Sequence, residues 1–201
     1  MANIAVFASG RGTNFSAIVR AVKKGIIKEK LALLVCDVSA APVIGKAKRA
    51  GVKVALVKRE DFNSKKEFED KIVSYLKENN IDLVVMAGFM RILSSEFVSA
   101  YKERIINIHP AILPSFKGAH GIKDAFEYGV KVSGVTVHFV DEEMDHGPII
   151  LQQAVTIEED DTLESFEAKI HKVEHRLYPQ AVKLFLEGKL KIEGRRVRII
   201  L

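Results

Sequence analysis

Short apolar runs alternating with helix-period segments constrain the fold of this chain more than anything else in its sequence. Ile4 to Ala8, Leu31 to Cys36, Val52 to Val57, Leu83 to Met86 and Ile105 to Ile108 are predominantly apolar at consecutive positions, so as strands they must be buried on both faces. Helical patterns lie between them: Asn14 to Lys24 with Phe15, Ile18 and Val22 on one face, Val43 to Ala50 stopped by Gly51, the charged amphipathic stretch Ser64 to Glu78, and a short helix near Glu96 to Tyr101. Parallel strands need crossover connections, and helices that supply them also cover the sheet. The repeated βα unit therefore predicts an α/β fold, with ligands at the carboxyl ends of the strands.

After Pro110 the pattern changes. A Pro- and Gly-punctuated loop runs to His120 and a helix follows to Tyr128; then come Val135 to Val140 and Ile149 to Val155, close enough to pair antiparallel. From Thr162 to Glu187 the set Leu163, Phe166, Ile170, Val173, Leu177, Ala181 and Leu184 recurs at three and four, which predicts a long helix lying along the protein, kinked at Pro179. The tail alternates as a small hairpin turning at Glu193-Gly194. The expected architecture is a Rossmann-like, doubly wound, mostly parallel sheet with helices on both faces, its C-terminal part carrying antiparallel strands and the long helix. No repeat or linker marks a second domain, so 1–201 reads as one domain, with a nucleotide-binding half over 1–110 and a second half over 111–201.

Composition narrows the function classes. The single cysteine, Cys36, sits inside an apolar run, which excludes a disulfide framework and points to a reducing, cytoplasmic setting with the thiol buried and inert. No stretch approaches the roughly eighteen apolar residues of a membrane span, and the N-terminus enters a strand pattern directly. The net charge of +5 is spread over mixed clusters. It suits attraction of anionic metabolites and lacks the concentrated basic stripe of a nucleic-acid binder.

Three segments carry chemistry. In Asn107-Ile108-His109-Pro110, alternation places Asn107 and His109 on one strand face with Ile106 and Ile108 on the other, and Pro110, having no N–H for a ladder, ends the strand right after the polar pair. Asp145 answers downstream in Met144-Asp145-His146-Gly147-Pro148. An amide donor, an imidazole and a carboxylate are the parts needed to stabilise and discharge a tetrahedral intermediate at a carbonyl. Ser9-Gly10-Arg11-Gly12-Thr13-Asn14 lies between the first strand and helix, where a tight turn and open N–H groups make either a phosphate cradle or a plain turn capped by Thr13 or Asn14. A nicotinamide fingerprint is disfavoured, because Phe15 stands where its third glycine belongs and only Asp37 follows strand two. The third segment, Ala87-Gly88-Phe89-Met90-Arg91-Ile92-Leu93, is an apolar loop bearing one arginine, suited to a flat heterocycle linked to a carboxylate.

Together with Ile106 to Pro114, Gly134 to Val140 and Asp145 to Ile150, these stretches resemble the folate-dependent formyltransferases over essentially the whole chain, above all the short members that formylate glycinamide ribonucleotide in purine synthesis. The resemblance implies that 10-formyltetrahydrofolate, as cosubstrate, donates its formyl group to the ribonucleotide's amine, with Asn107, His109 and Asp145 catalytic. It places Gly12, Thr13 and Asn14 on the substrate phosphate, and Glu174, on the polar side of the last helix, on the ribose hydroxyls. Met90, Arg91, Ile92 and Leu93, the loop from Val140 to Met144, and Asp145 line the folate pocket. His138 orients its neighbours, and His120 meets substrate when its loop closes; Ile122 stands where the family often has a second histidine. His146 and His171 receive no role. No metal is implied, and the partners are small molecules, with neither nucleic acid nor membrane, for a monomer or homodimer. Other enzymes of this chemistry, a methionyl-tRNA formyltransferase or a formyl-folate hydrolase, carry an additional domain for which the chain leaves no room. A non-catalytic nucleotide-binding module would leave Asn107, His109 and Asp145 unexplained.

Overall fold

The computed structural model describes residues 2–200. Its contacts gather into two compact units, one up to Ile106 and one from Asn107 onward.

The first unit follows from the apolar runs. Strands β1 (Asn3–Phe7), β2 (Lys30–Cys36), β3 (Lys53–Leu56) and β4 (Ile81–Met86) pair in parallel in the order β3-β2-β1-β4. β5 (Ile105–His109) starts in this unit, its approach held to β4 by the Val84 N–H donating to the Arg104 carbonyl at 2.9 Å. The chain moves outward from β1 through β2 to β3, then returns to the other side of β1. Right-handed crossovers put α1 (Thr13–Lys23) and α2 (Pro42–Arg49) on one face and α3 (Lys65–Glu78) on the other, with the short α4 (Ser95–Ala100) following β4. This is the doubly wound arrangement, and its strand order reverses between β1 and β4, where such sheets open a crevice for ligands.

Burial of the central strands is nearly total: Ile4 to Ala8 and Leu33 to Cys36 are inaccessible to solvent, each large side chain contributing about 1.5–3 kcal/mol. Helix α1 differs from its expected face. Phe15 and Ile18 are buried, but Ala17 and Ala21 complete the stripe and Val22 is half-exposed at its rim. Cys36 is buried, its thiol donating to the Val38 carbonyl at 3.3 Å and its pKa pushed up by burial, which leaves it inert.

The second unit holds α5 (Gly121–Tyr128), β6 (Val132–Phe139), β7 (Ile149–Thr156), α6 (Leu163–Leu186), β8 (Leu190–Glu193) and β9 (Arg196–Ile199). β6 and β7 pair antiparallel from Val132↔Thr156 to His138↔Ile149, with a register shift between Val137 and His138. The tail forms the expected hairpin, β9 meeting β7 in parallel at Ile149↔Arg196. α6 packs on β6, β7 and α5 and begins with a reciprocal cap: Thr162 Oγ1 accepts from the Ser165 N–H at 3.2 Å and Ser165 Oγ from the Thr162 N–H at 3.0 Å. The helix continues across Pro179. Its buried stripe corrects the sequence expectation: Phe166, Ile170, Leu177 and Ala181 are buried as anticipated, Leu163, Val173 and Leu184 only partly, and Glu174 belongs to the buried face, not the polar one.

Candidate active site

β5 delivers its polar pair as the alternation requires, Ile106 and Ile108 buried on one side and Asn107 and His109 on the other. The loop after β6 returns Asp145 to the same place, with a positive φ of 49° that aspartate tolerates better than most residues. Asp145 Oδ1 lies 3.4 Å from Asn107 Nδ2, and Oδ2 lies 3.4 Å from His109 Nδ1. Three groups distant in sequence thus surround one small volume within the second unit.

Hydrogen bonding settles the ring tautomers. His109 Nε2 is 2.7 Å from the Phe116 carbonyl, which can only accept, so Nε2 carries the proton and Nδ1 turns its lone pair toward Asp145. His138 Nδ1 likewise donates to the Phe139 carbonyl at 2.7 Å, leaving Nε2 to accept from the Asn107 amide at 3.3 Å. With His138 and Asp145 both accepting, the NH2 of Asn107 is oriented and both of its hydrogens are directed, through long bonds that are easily traded. The Gly118 N–H donates to Asp145 Oδ2 at 2.9 Å.

Two charges follow from this environment. Burial holds His109 below its ordinary 6.5, outweighing the attraction of Asp145 and the Phe116 carbonyl. Burial would raise Asp145, but the His138 and His109 rings in their protonated forms, with the Gly118 N–H, leave it below its ordinary 3.8. The resting pair is therefore a neutral imidazole facing a carboxylate with no proton between them. Acidification protonates the unfolded chain first, so the stability from neutral His109, fully present above 6.5, drains away as the pH falls toward the lower folded value; Asp145 adds a second loss that begins near 3.8. The thermal midpoint should fall between pH 7 and 5, and less steeply in His109→Asn. An equal slope in that variant would show that another group governs the acid limb.

The loop expected to meet substrate through His120 touches this pair through other residues, Phe116, Gly118 and Gly121. Phe116, with a φ of 51°, aims its carbonyl at His109, and a Cβ on Gly121 would stand 3.0 Å from that carbonyl and 3.2 Å from His109 Nε2. Glycine lets α5 start this near the imidazole without crowding it. Thr136, wholly buried on β6, donates to the Ala111 carbonyl at 2.7 Å and accepts from the Leu113 N–H at 3.1 Å and Gln152 Nε2 at 2.9 Å, pinning the start of the same segment. A buried threonine in an apolar strand was the available sign. His120 is exposed at the N-cap of α5 and makes no side-chain cap bond. His146 pairs with Asp141 at 2.7 Å, and His171 Nδ1 lies 2.8 Å from the buried Glu174.

In the first unit, Gly12 is itself the N-cap of α1, so neither Thr13 nor Asn14 serves as the cap that the plain-turn alternative required; no side chain caps the helix and no acidic residue occupies its first turn. Its φ of 67° suits glycine, and a Cβ there would sit 2.4 Å from Val43 Cγ2. Thr13 and Asn14 open the helix at the end that carries outward N–H groups and a partial positive charge. The loop after β4 divides its apolar residues: Phe89 and Leu93 are buried, Phe89 edge-on to Phe7, while Met90 and Ile92 are 65% and 62% exposed. Arg91 turns its Nε to Asp37 at 2.5 Å. In the second unit Val140 is half-buried and Met144 exposed. Among the described residues, no group of three or more His, Cys, Asp or Glu side chains is placed to hold a metal ion, and no helix is long and apolar enough to cross a membrane.

Comparison with known proteins agrees with this chemistry. The formyl transferase family pattern matches residues 2–182. The chain is 45% identical over 186 residues to the phosphoribosylglycinamide formyltransferase of Bacillus subtilis, covering 92% of this chain and 95% of that protein. It is 37% identical over 191 residues to the human trifunctional purine biosynthetic protein adenosine-3, of which it spans 19%. The crystal structure of glycinamide ribonucleotide transformylase 1 from Symbiobacterium toebii superposes with a TM-score of 0.97 at 43% identity, over 100% of this chain and 95% of that one.

Proposed function

The chain belongs to the formyl transferase family, and from that premise we propose that it transfers the formyl group of 10-formyltetrahydrofolate to the free amine of glycinamide ribonucleotide, a step of purine synthesis. The observation that carries this reading is the convergence of Asn107 and His109 on Asp145, each at 3.4 Å, with His109 buried and the other two partly so.

Attack of the amine on the formyl carbon makes two demands. Negative charge grows on the formyl oxygen, and the amine must lose a proton that the departing folate nitrogen must gain. Asn107 meets the first by trading its long bond to Asp145 at 3.4 Å for a shorter one to the oxygen as charge develops, its bond to His138 at 3.3 Å being kept. His138 keeps the amide turned the right way throughout. The gap between Asp145 and His109 meets the second: a proton entering it is shared by a carboxylate and an imidazole, and the positive charge this puts on the ring favours the negative charge growing on the nearby oxygen. Passing that proton on to the folate nitrogen restores the resting pair. The Phe116 carbonyl holds the ring in place at each stage.

Gly12, Thr13 and Asn14 bind the substrate phosphate, whose charge suits an uncapped helix N-terminus. Glu174, a buried carboxylate beside His171, takes the ribose hydroxyls, which are hydrogen-bond donors to a carboxylate. Met90, Ile92 and Met144 present exposed apolar surface to the folate, with Arg91, Leu93, Val140 and Asp145 completing its site. The protein acts on these small molecules as a soluble, cytoplasmic enzyme that needs no metal, as a monomer or homodimer.

Mixing the enzyme with formyl folate and glycinamide ribonucleotide, and following folate release by absorbance, tests this directly. Release that requires the amine is expected. Release without it would identify a hydrolase, and no release would leave a binding module. Thr13→Ala should raise the KM for ribonucleotide about tenfold or more, the loss of one hydrogen bond to a charged group, with kcat nearly unchanged. An unaltered KM would remove Thr13 from the phosphate site.

A further inference from the structure

Asp37 sits one residue beyond β2, its carboxylate only 4% exposed. A carboxylate out of water is costly unless both oxygens are satisfied. One accepts from Ser9 Oγ at 2.6 Å, in the loop after β1, and the other from Arg91 Nε at 2.5 Å, in the loop after β4. These loops flank the point where the strand order reverses. Ser9 extends the link: its Oγ accepts from the Met90 N–H at 3.2 Å, and its own N–H donates to the Gly88 carbonyl at 2.9 Å. Arg91 is steadied on its other side by Phe68 of α3, the guanidinium carbon lying 5.6 Å from the ring centroid.

The segment from Gly88 to Arg91 is thus hung from Ser9 and Asp37 at several points, with Phe89 driven into the core between them. What remains facing outward is Met90 and Ile92, two large apolar side chains that an untethered loop would turn inward to escape water. The tether carries no atom of the reaction. It spends a buried carboxylate and an arginine on holding a loop in the shape in which its apolar residues stand ready.

We infer that Asp37 is a positioning residue that, with Ser9, preorganises the Met90–Ile92 segment for the formyl folate, an inference that rests on the folate assignment made above. Preorganisation acts on binding and not on the chemical step. Asp37→Asn leaves an oxygen for Ser9 and sets an amide where Arg91 needs an acceptor. It should raise the KM for 10-formyltetrahydrofolate about tenfold, with kcat and the KM for ribonucleotide each within about twofold. Ser9→Ala, which spares the Asp37–Arg91 bond, should raise the same KM about fivefold. Because the two share one hydrogen bond while Ser9 alone holds the Met90 N–H, the double variant should exceed Asp37→Asn by less than the fivefold of Ser9→Ala alone.

Hydrogen exchange supplies a readout independent of ligand: the Met90 and Arg91 amides should exchange at least tenfold faster in either variant, with β1 and β4 amides unchanged. A merely structural role would instead speed exchange across the strands and lower kcat with both KM values. Unchanged exchange at Met90 and Arg91, or an unchanged folate KM in folded variants, overturns the inference. If exchange quickens while Met90→Ala leaves folate binding intact, it is the folate assignment that fails and the tether that stands.

Discussion

Asp145→Asn is expected to lower kcat by about 10²–10⁴-fold, the usual worth of a positioned acid–base group, while both KM values stay within a few-fold. Asparagine fits the same space, is among the few residues at ease at a φ of 49°, and keeps an oxygen for the Gly118 N–H at 2.9 Å. What it removes is the charge, and with it the proton affinity of that same oxygen, which also faces His109 Nδ1 at 3.4 Å. The proton leaving the amine then has only a buried imidazole to receive it, and burial already opposes that charge. Steady-state kinetics with both substrates varied, beside a thermal unfolding curve, separates this result from misfolding. Normal turnover by a folded Asp145→Asn variant would end the proton-transfer scheme and move Asp145 to a binding role.

Asn107→Ala is expected to cost kcat about 100- to 1,000-fold, or about 3–4 kcal/mol of barrier, the loss that follows removal of one oxyanion donor. The amide is held by two long bonds, 3.3 Å to His138 and 3.4 Å to Asp145, so the resting protein loses little when they go. The stability cost should accordingly be small beside the kinetic one. Single-turnover measurement with saturating substrates isolates the chemical step. If the loss appeared as a raised folate KM with kcat preserved, Asn107 would be a binding residue and the charge on the formyl oxygen would need another donor.

These expectations draw unequally on sequence and structure. The alternation in Ile105 to His109, ended by Pro110, was enough to place Asn107 and His109 on one strand face, because side-chain direction along a strand is local geometry. Glu174 was misplaced although its spacing was informative. It stands four residues after Ile170 and three before Leu177, on the buried stripe itself, so a carboxylate at an apolar position was the sign to read. Gly12 could be suspected from its turn, but Val43, whose side chain forbids a Cβ there, comes from another helix. The tether through Asp37 was hidden entirely: it joins residues 9, 37 and 91 by hydrogen bonds between strand ends, and no local pattern reports such a partner.

By itself, then, the order of residues determined the βα alternation, the strand faces, a helix stop at Gly51, a helix start at Thr162 and the chemical types available, all of which depend on neighbours within a few positions along the backbone. Folding decided what those types become: which tautomer His109 holds, that Asp145 stays ionised beside it, that the Phe116 carbonyl and Gly121 close over the ring, and that Asp37 serves a loop 54 residues away. Proton affinity and orientation depend on burial and on partners brought from distant segments, and those exist only once the chain has packed.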